Sequence, residues 1–142
     1  MGDEKNIAAE MVAFMNEKMG GQYTQKVIEY GIFFLDFGAL VDPDGHAKIT
    51  GPCGDTDELF LRIKEGRIEE AKFITDGCIC AIAACQAATH MATGKTIHEC
   101  LQITESAILE HLGGLPLDHT HCALLASMTL QRALCEYIVQ KK

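Results

Sequence analysis

The stretch AKITGPCGDTDELFLRIKEGRIEEAKFIT, Ala47–Thr75, decides the fold class. AKIT alternates polar and apolar residues. ELFLRIK does the same and puts Leu59, Leu61 and Ile63 on one face. Strict alternation over such a length marks a half-buried strand. Glu65-Gly66 is a two-residue hairpin turn, and RIEEAKFIT returns from it. The reading is three short antiparallel strands with one face buried.

Beyond Gly77 the pattern changes to helix. CICAIAACQAATHMATG is apolar nearly all round in its first turns, which predicts a buried helix that Gly94 ends. Thr96 with Glu99 forms a capping-box pattern before a short helix. Thr104 to Leu112 is another helix, stopped by Gly113-Gly114. A last helix runs from about His121 to Val139, with Leu124, Met128, Cys135 and Ile138 on one face. Before the strands, Asn6 to Met19 carries Ile7, Met11, Phe14, Met15 and Met19 as an apolar face, ended by Gly20-Gly21. A second short helix spans Tyr23 to Tyr30 and stops at Gly31. The run Ile32–Val41 is apolar apart from Asp36, and is expected to pack on the core. Its alternative is an exposed partner-binding patch, which would follow if its aromatics were exposed. Strands followed by helices give an α+β fold: a small three-stranded antiparallel sheet packed against several helices.

The chain has 142 residues and a formal net charge of −8. It lacks the basic footprint of a nucleic-acid binder and the charge to dock on an anionic membrane. No apolar stretch approaches the length of a bilayer span, and the N-terminus shows no secretory pattern. Seven cysteines, an odd number, point to metal or thiol chemistry in a reducing compartment, the cytoplasm, rather than to a paired disulfide framework.

The cysteines divide by position. Cys53, Cys78 and Cys122 sit at element ends, where polar groups can converge; Asp55 and His121 stand beside them. The helix N-termini after Cys78 and Cys122 are expected to lower those thiol pKa values. Cys85 is about 10 Å further along its helix than Cys78, and Cys135 about 20 Å beyond Cys122, too far to share one ion. Cys85, Cys100 and Cys135 therefore read as small buried hydrophobes. Cys80 is read as structural, pointing away from Cys78 inside the helix, unless the helix begins later.

CGDTDELFLRIKEGRIEEAKFITDGCICAIAA, GKTIHEC and LPLDHTHCALLA resemble the IscU/NifU-type scaffold on which iron–sulfur clusters are assembled, and YTQKVIEY looks like that family's opening helix. The resemblance implies an IscU/NifU-like domain over 23–142, preceded by a helical extension over 1–22. It implies a non-enzymatic scaffold holding a transient 2Fe–2S cluster on Cys53, Asp55, Cys78 and Cys122, with His121 as a further metal ligand and zinc as an alternative occupant. Cys122 matches the acceptor of sulfur from a cysteine desulfurase, and apo iron–sulfur proteins are the implied recipients. The chain departs from the family pattern in three places. Gly77-Cys78-Ile79-Cys80 replaces Gly-Cys-Gly-Ser, and GIFFLDFGALV replaces an Asn-Pro segment. His119 replaces a lysine, which argues against recognition by a specialised Hsp70-type chaperone. Cys80 and His119 stand second in line as ligands. The competing readings are a zinc-binding sulfur acceptor and a plain α+β interaction domain.

Overall fold

In the computed structural model, residues 2–19 and 23–140 are described. The alternating stretch forms β1 (Gly45–Thr50), β2 (Thr56–Lys64) and β3 (Arg67–Thr75), an antiparallel sheet in that order. Glu65 and Gly66 take φ of 54° and 77°, the two left-handed residues that a type I′ hairpin turn requires. Leu59, Leu61 and Ile63 of β2 and Ile68, Ala71 and Phe73 of β3 are buried on the inner face.

The helices are α1 (Gly2–Met19), α2 (Gln25–Ile32), α3 (Ile79–Ala92), α4 (Ile97–Cys100), α5 (Glu105–Leu112) and α6 (His121–Gln140). A short 3-10 turn, Leu117–His119, leads into α6. α3 packs on β3, and α6 lies across β1 and β2; α2 and α5 close the far side of the helical layer. Ala81, Ala83, Ala84, Ala87 and Ala88 of α3 are all buried, as expected of a helix apolar all round. The capping box at Thr96 and Glu99 is formed in full.

Several expectations change. Gly31 does not end α2. It lies inside the helix and is buried, and a Cβ there would overlap the Ile79 side chain. Of the apolar face expected on α1, Ile7 and Phe14 are exposed and Met11 is half-buried. The side chains of Met15 and Met19, like Gly20 and Gly21, lie outside the described residues. On α6 the stripe of Leu124, Met128, Cys135 and Ile138 faces solvent, so Cys135 is exposed rather than buried. The buried face is built from Ala123, Ala126, Leu130, Ala133 and Leu134, and the small alanines among them let the helix approach the sheet. Gly45 of β1 marks that approach: a Cβ would stand 2.6 Å from the Ala133 carbonyl oxygen. The run Leu117–Gln140 is also long and apolar enough to cross a bilayer, contrary to the reading above. Half of its most apolar window is buried inside the fold, where α6 serves as a core helix.

The Ile32–Val41 run is the largest departure. Phe33, Phe34, Leu35, Phe37 and Val41 are exposed. The inward residue is Asp36. Its carboxylate accepts from Gln86 Nε2 at 3.0 Å and Thr89 Oγ1 at 2.8 Å, and its N–H donates to Gln86 Oε1 at 3.0 Å. Gln86 and Thr89 are buried polar groups on α3; the Thr89 hydroxyl can also reach the Cys85 carbonyl at 3.1 Å, but the Gln86 amide engages Asp36 through both its ends, and a buried polar group left unpaired is costly. Satisfying them turns Asp36 in and its aromatic neighbours out. Asp36→Ala is expected to lower stability by about 1–3 kcal/mol, measured by urea unfolding, and to open the 33–41 segment to limited proteolysis.

Candidate metal centre

Antiparallel pairing brings the site's loops to one end of the sheet. Thr50 pairs with Thr56 and Asp57 with Thr75, so the turn before β2 and the segment after β3 emerge together. The Gly51–Asp55 turn is closed by Gly54 N–H to Gly51 O at 3.0 Å and Gly51 N–H to Asp55 O at 2.8 Å. Gly54 holds φ of 93°, a backbone that L side chains rarely adopt. Asp76 Oδ1 accepts from the Thr56 N–H at 2.8 Å, and Thr75 Oγ1 accepts from the Gly77 N–H at 3.1 Å. These bonds fix Cys78 relative to Asp55. The contact is close: a Cβ on Gly77 would overlap the Ala81 Cβ and lie 3.0 Å from Asp55 Oδ2.

α6 and the turn before it bring in the third set of residues. Two groups of donor atoms result, each mutually within 4.8 Å: Asp55, His121 and Cys122 form one, and Cys78, Cys80 and His119 the other. The His119 and His121 rings stack with centroids 6.2 Å apart, so the groups adjoin. Cys122 Sγ is 3.8 Å from His121 Nε2, and Cys78 Sγ is 3.8 Å from His119 Nδ1. Among the described residues, the Cys53 thiol joins neither group. It is exposed, and it shares with Asp55, His121, Leu124 and Met128 the wall of a cavity of about 120 Å³.

Cys80 does not point away from Cys78. Cys78 is the N-cap of α3, with extended φ and ψ of −75° and −175°. The 100° helical step therefore does not separate the two residues, and both sulfurs approach His119. His119 itself is half-buried. Cys85 and Cys100 are fully buried, and burial pushes both thiols up, Cys100 to about 11.

The expected lowering of the Cys122 pKa is overturned. Cys122 is buried, and that burial raises its thiol pKa, helped by Cys78, Cys80, Asp55 and Asp57 nearby. Burial also pushes Cys80 up to about 12, again with Cys78 adding to it. Desolvation and like charge outweigh the helix dipole, whose effect fades within one turn. Without a cation these two sulfurs are held as thiols; a metal must displace their protons.

One buried carboxylate near Cys122 was missed in the sequence. Asp57 is 1% exposed. Its Oδ1 accepts from Thr75 Oγ1 at 2.8 Å; its Oδ2 is buried with no geometric hydrogen-bond partner, though the Cys85 thiol lies beside it. Burial raises its carboxyl pKa. The signal was present: counting back by two from Ile63, Leu61 and Leu59 lands on Asp57.

Known proteins are similar to this chain in sequence and fold. Residues 22–142 match the family model for the NifU-like N terminal domain. The chain is 43% identical over 116 residues to an iron–sulfur cluster assembly scaffold protein, IscU 1, of Archaeoglobus fulgidus, covering 81% of this chain and 76% of the relative. It is 38% identical over 120 residues to the scaffold protein IscU of Azotobacter vinelandii, covering 81% of this chain and 93% of that protein. The N-terminal NifU-like protein of Brucella abortus has the same fold, with a TM-score of 0.67 at 18% identity over 82% of this chain and 94% of that one. The family match spans nearly the whole chain from residue 22 onward, and the chain belongs to the NifU-like N-terminal domain family.

Proposed function

We propose that the protein is a scaffold that assembles a labile iron–sulfur cluster, of the 2Fe–2S type, and passes it to apo iron–sulfur proteins. The observation that carries this is the meeting of thiols, a carboxylate and imidazoles from separate element ends at one edge of the fold. The relatives named as cluster assembly scaffolds support it. Cys53, Cys78 and Cys122 are the proposed thiolate ligands, with Asp55 completing the set and His121 beside Cys122. Thiolates are soft ligands suited to iron–sulfur clusters and zinc, and a carboxylate is harder.

Sulfur is proposed to arrive from a cysteine desulfurase. A thiolate of the scaffold attacks the outer sulfur of the donor's persulfide; the donor's S–S bond breaks, and its cysteine leaves as thiolate. Cys122 is the family's acceptor position, but it is buried. Transfer to it requires the Cys122 sulfur to become accessible, whereas Cys53 and Cys78 are exposed as they stand. Seven unpaired cysteines fit a reducing compartment, with the cytoplasm the proposed one.

Anaerobic reconstitution with iron and sulfide tests the reading. Visible absorption should develop in the parent protein and fail in Cys53→Ser, Cys78→Ser and Cys122→Ser. Asp55→Ala is expected to lengthen the life of the reconstituted cluster, because removing the hard ligand leaves the softer donors of the site. The decay of visible absorption with an iron chelator present measures this, and faster decay in the variant overturns the role given to Asp55.

The mixed sulfur, oxygen and nitrogen donor set also suits zinc, so a zinc-bound sulfur acceptor is the second reading. Metal analysis of protein isolated without oxygen separates the two.

A further inference from the structure

The Cys78–Cys80–His119 group is not explained by the cluster ligands. We propose that these three side chains form a second, mononuclear site for a divalent cation of zinc's class, adjoining the cluster site and sharing Cys78 with it. Three observations carry this. All three donor atoms lie within 4.8 Å of one another with no cation present. Ligands of a tetrahedral zinc, at about 2.3 Å for sulfur and 2.0 Å for nitrogen, stand roughly 3.5–3.8 Å apart. The Cys78 Sγ to His119 Nδ1 distance is already 3.8 Å, so little movement is needed to close the set. The donors are two sulfurs and one imidazole nitrogen, a combination that favours zinc over calcium or magnesium, which take oxygen ligands.

The surroundings fit a three-ligand site with one open position. Cys80 is fully buried at the base, while Cys78 is exposed and His119 half-buried at the mouth. The Cys78 side chain makes no capping hydrogen bond to α3, so its sulfur is not occupied there. Binding releases the two thiol protons to solvent, and no electron is moved. A cation held here occupies Cys78, so it and the cluster draw on the same thiolate.

The test uses the full chain carrying Asp55→Ala and Cys122→Ser, which disables the neighbouring group. Cobalt(II), titrated without oxygen, stands in for zinc because its tetrahedral thiolate complexes absorb. One equivalent is expected, with a sulfur-to-cobalt charge-transfer band and tetrahedral visible bands, both lost on adding one equivalent of zinc. Adding Cys80→Ser should cut the charge-transfer band by about half. It should weaken binding by more than the 10–100-fold typical of losing an outer-sphere partner. Adding His119→Ala should shift the visible bands and weaken binding similarly, whereas adding Cys53→Ser should change neither. His119 is near the surface, so its loss leaves the fold intact; for the buried Cys80, Cys80→Ala is a second variant, and circular dichroism confirms folding.

The proposal is overturned if the Asp55→Ala/Cys122→Ser protein binds no tetrahedral cobalt. It is equally overturned if Cys80 and His119 substitutions leave the spectrum unchanged, or if Cys53→Ser abolishes it. Cluster formation in the parent protein is scored separately. A cluster without the cobalt signal overturns this site alone, and the cobalt signal without a cluster overturns the scaffold reading alone.

Discussion

Cys78→Ala is expected to fold like the parent and to lose both kinds of metal binding. Cys78 is exposed and its side chain supports no cap, so truncating it removes little packing. Its sulfur nonetheless stands in the group with Cys80 and His119 and near enough to Cys122 to raise that thiol's pKa. Losing a direct ligand should therefore cost both sites more than about 100-fold in affinity, beyond what an outer-sphere change costs. Two measurements check this: visible absorption after anaerobic reconstitution, and cobalt titration. Unchanged far-ultraviolet circular dichroism and thermal midpoint show that the fold has survived. Cys135→Ala, exposed on the solvent side of α6, is the control and should change neither binding.

Gly77→Ala is the second large effect, and it acts through shape. The added methyl overlaps the Ala81 Cβ and crowds Asp55 Oδ2 at 3.0 Å. The chain beside the contact is held on both sides, because Thr56 N–H donates to Asp76 Oδ1 and Gly77 N–H to Thr75 Oγ1. Overpacking of this kind costs about 1–3 kcal/mol. The larger consequence is that the Cys78 and Asp55 ligands are pushed apart. Chemical denaturation should show a modest loss of stability, and reconstitution should show almost no cluster. A variant that still formed the cluster normally would mean that Asp55 and Cys78 need not be held at this spacing.

Much of this was legible in the sequence because it rests on local rules. Period-two alternation located β2 and β3, the Glu65-Gly66 turn joined them, and the Thr96–Glu99 capping box placed α4. Cys53, Cys78 and Cys122 could be singled out as residues at element ends without knowing how the ends meet. What escaped depends on partners distant in sequence. Asp36 turns inward because the buried Gln86 amide, fifty residues on, pairs with its carboxylate and its N–H. The buried face of α6 was misread because alanines separate its leucines, while Leu124 and Met128 drew attention to the solvent side. Cys80 was placed by counting helical steps from Cys78, yet the cap residue sits outside the helical progression.

The Asp36 anchor has a consequence for how copies of this chain meet in a cell. β3 is an edge strand, and open edges recruit strands from other molecules into aggregates. Here the segment held by Asp36 runs along that edge: Phe73 N–H donates to Asp36 O at 2.9 Å, and Gly38 N–H to Phe73 O at 2.8 Å. At the strand's other end, Ile68 N–H donates to Lys95 O and Gly94 N–H to Ile68 O. Between these covers lie the charged side chains of Glu69, Glu70 and Lys72, which discourage a strand from a neighbouring molecule. The same aspartate that leaves phenylalanines on the surface thus closes the strand edge to aggregation.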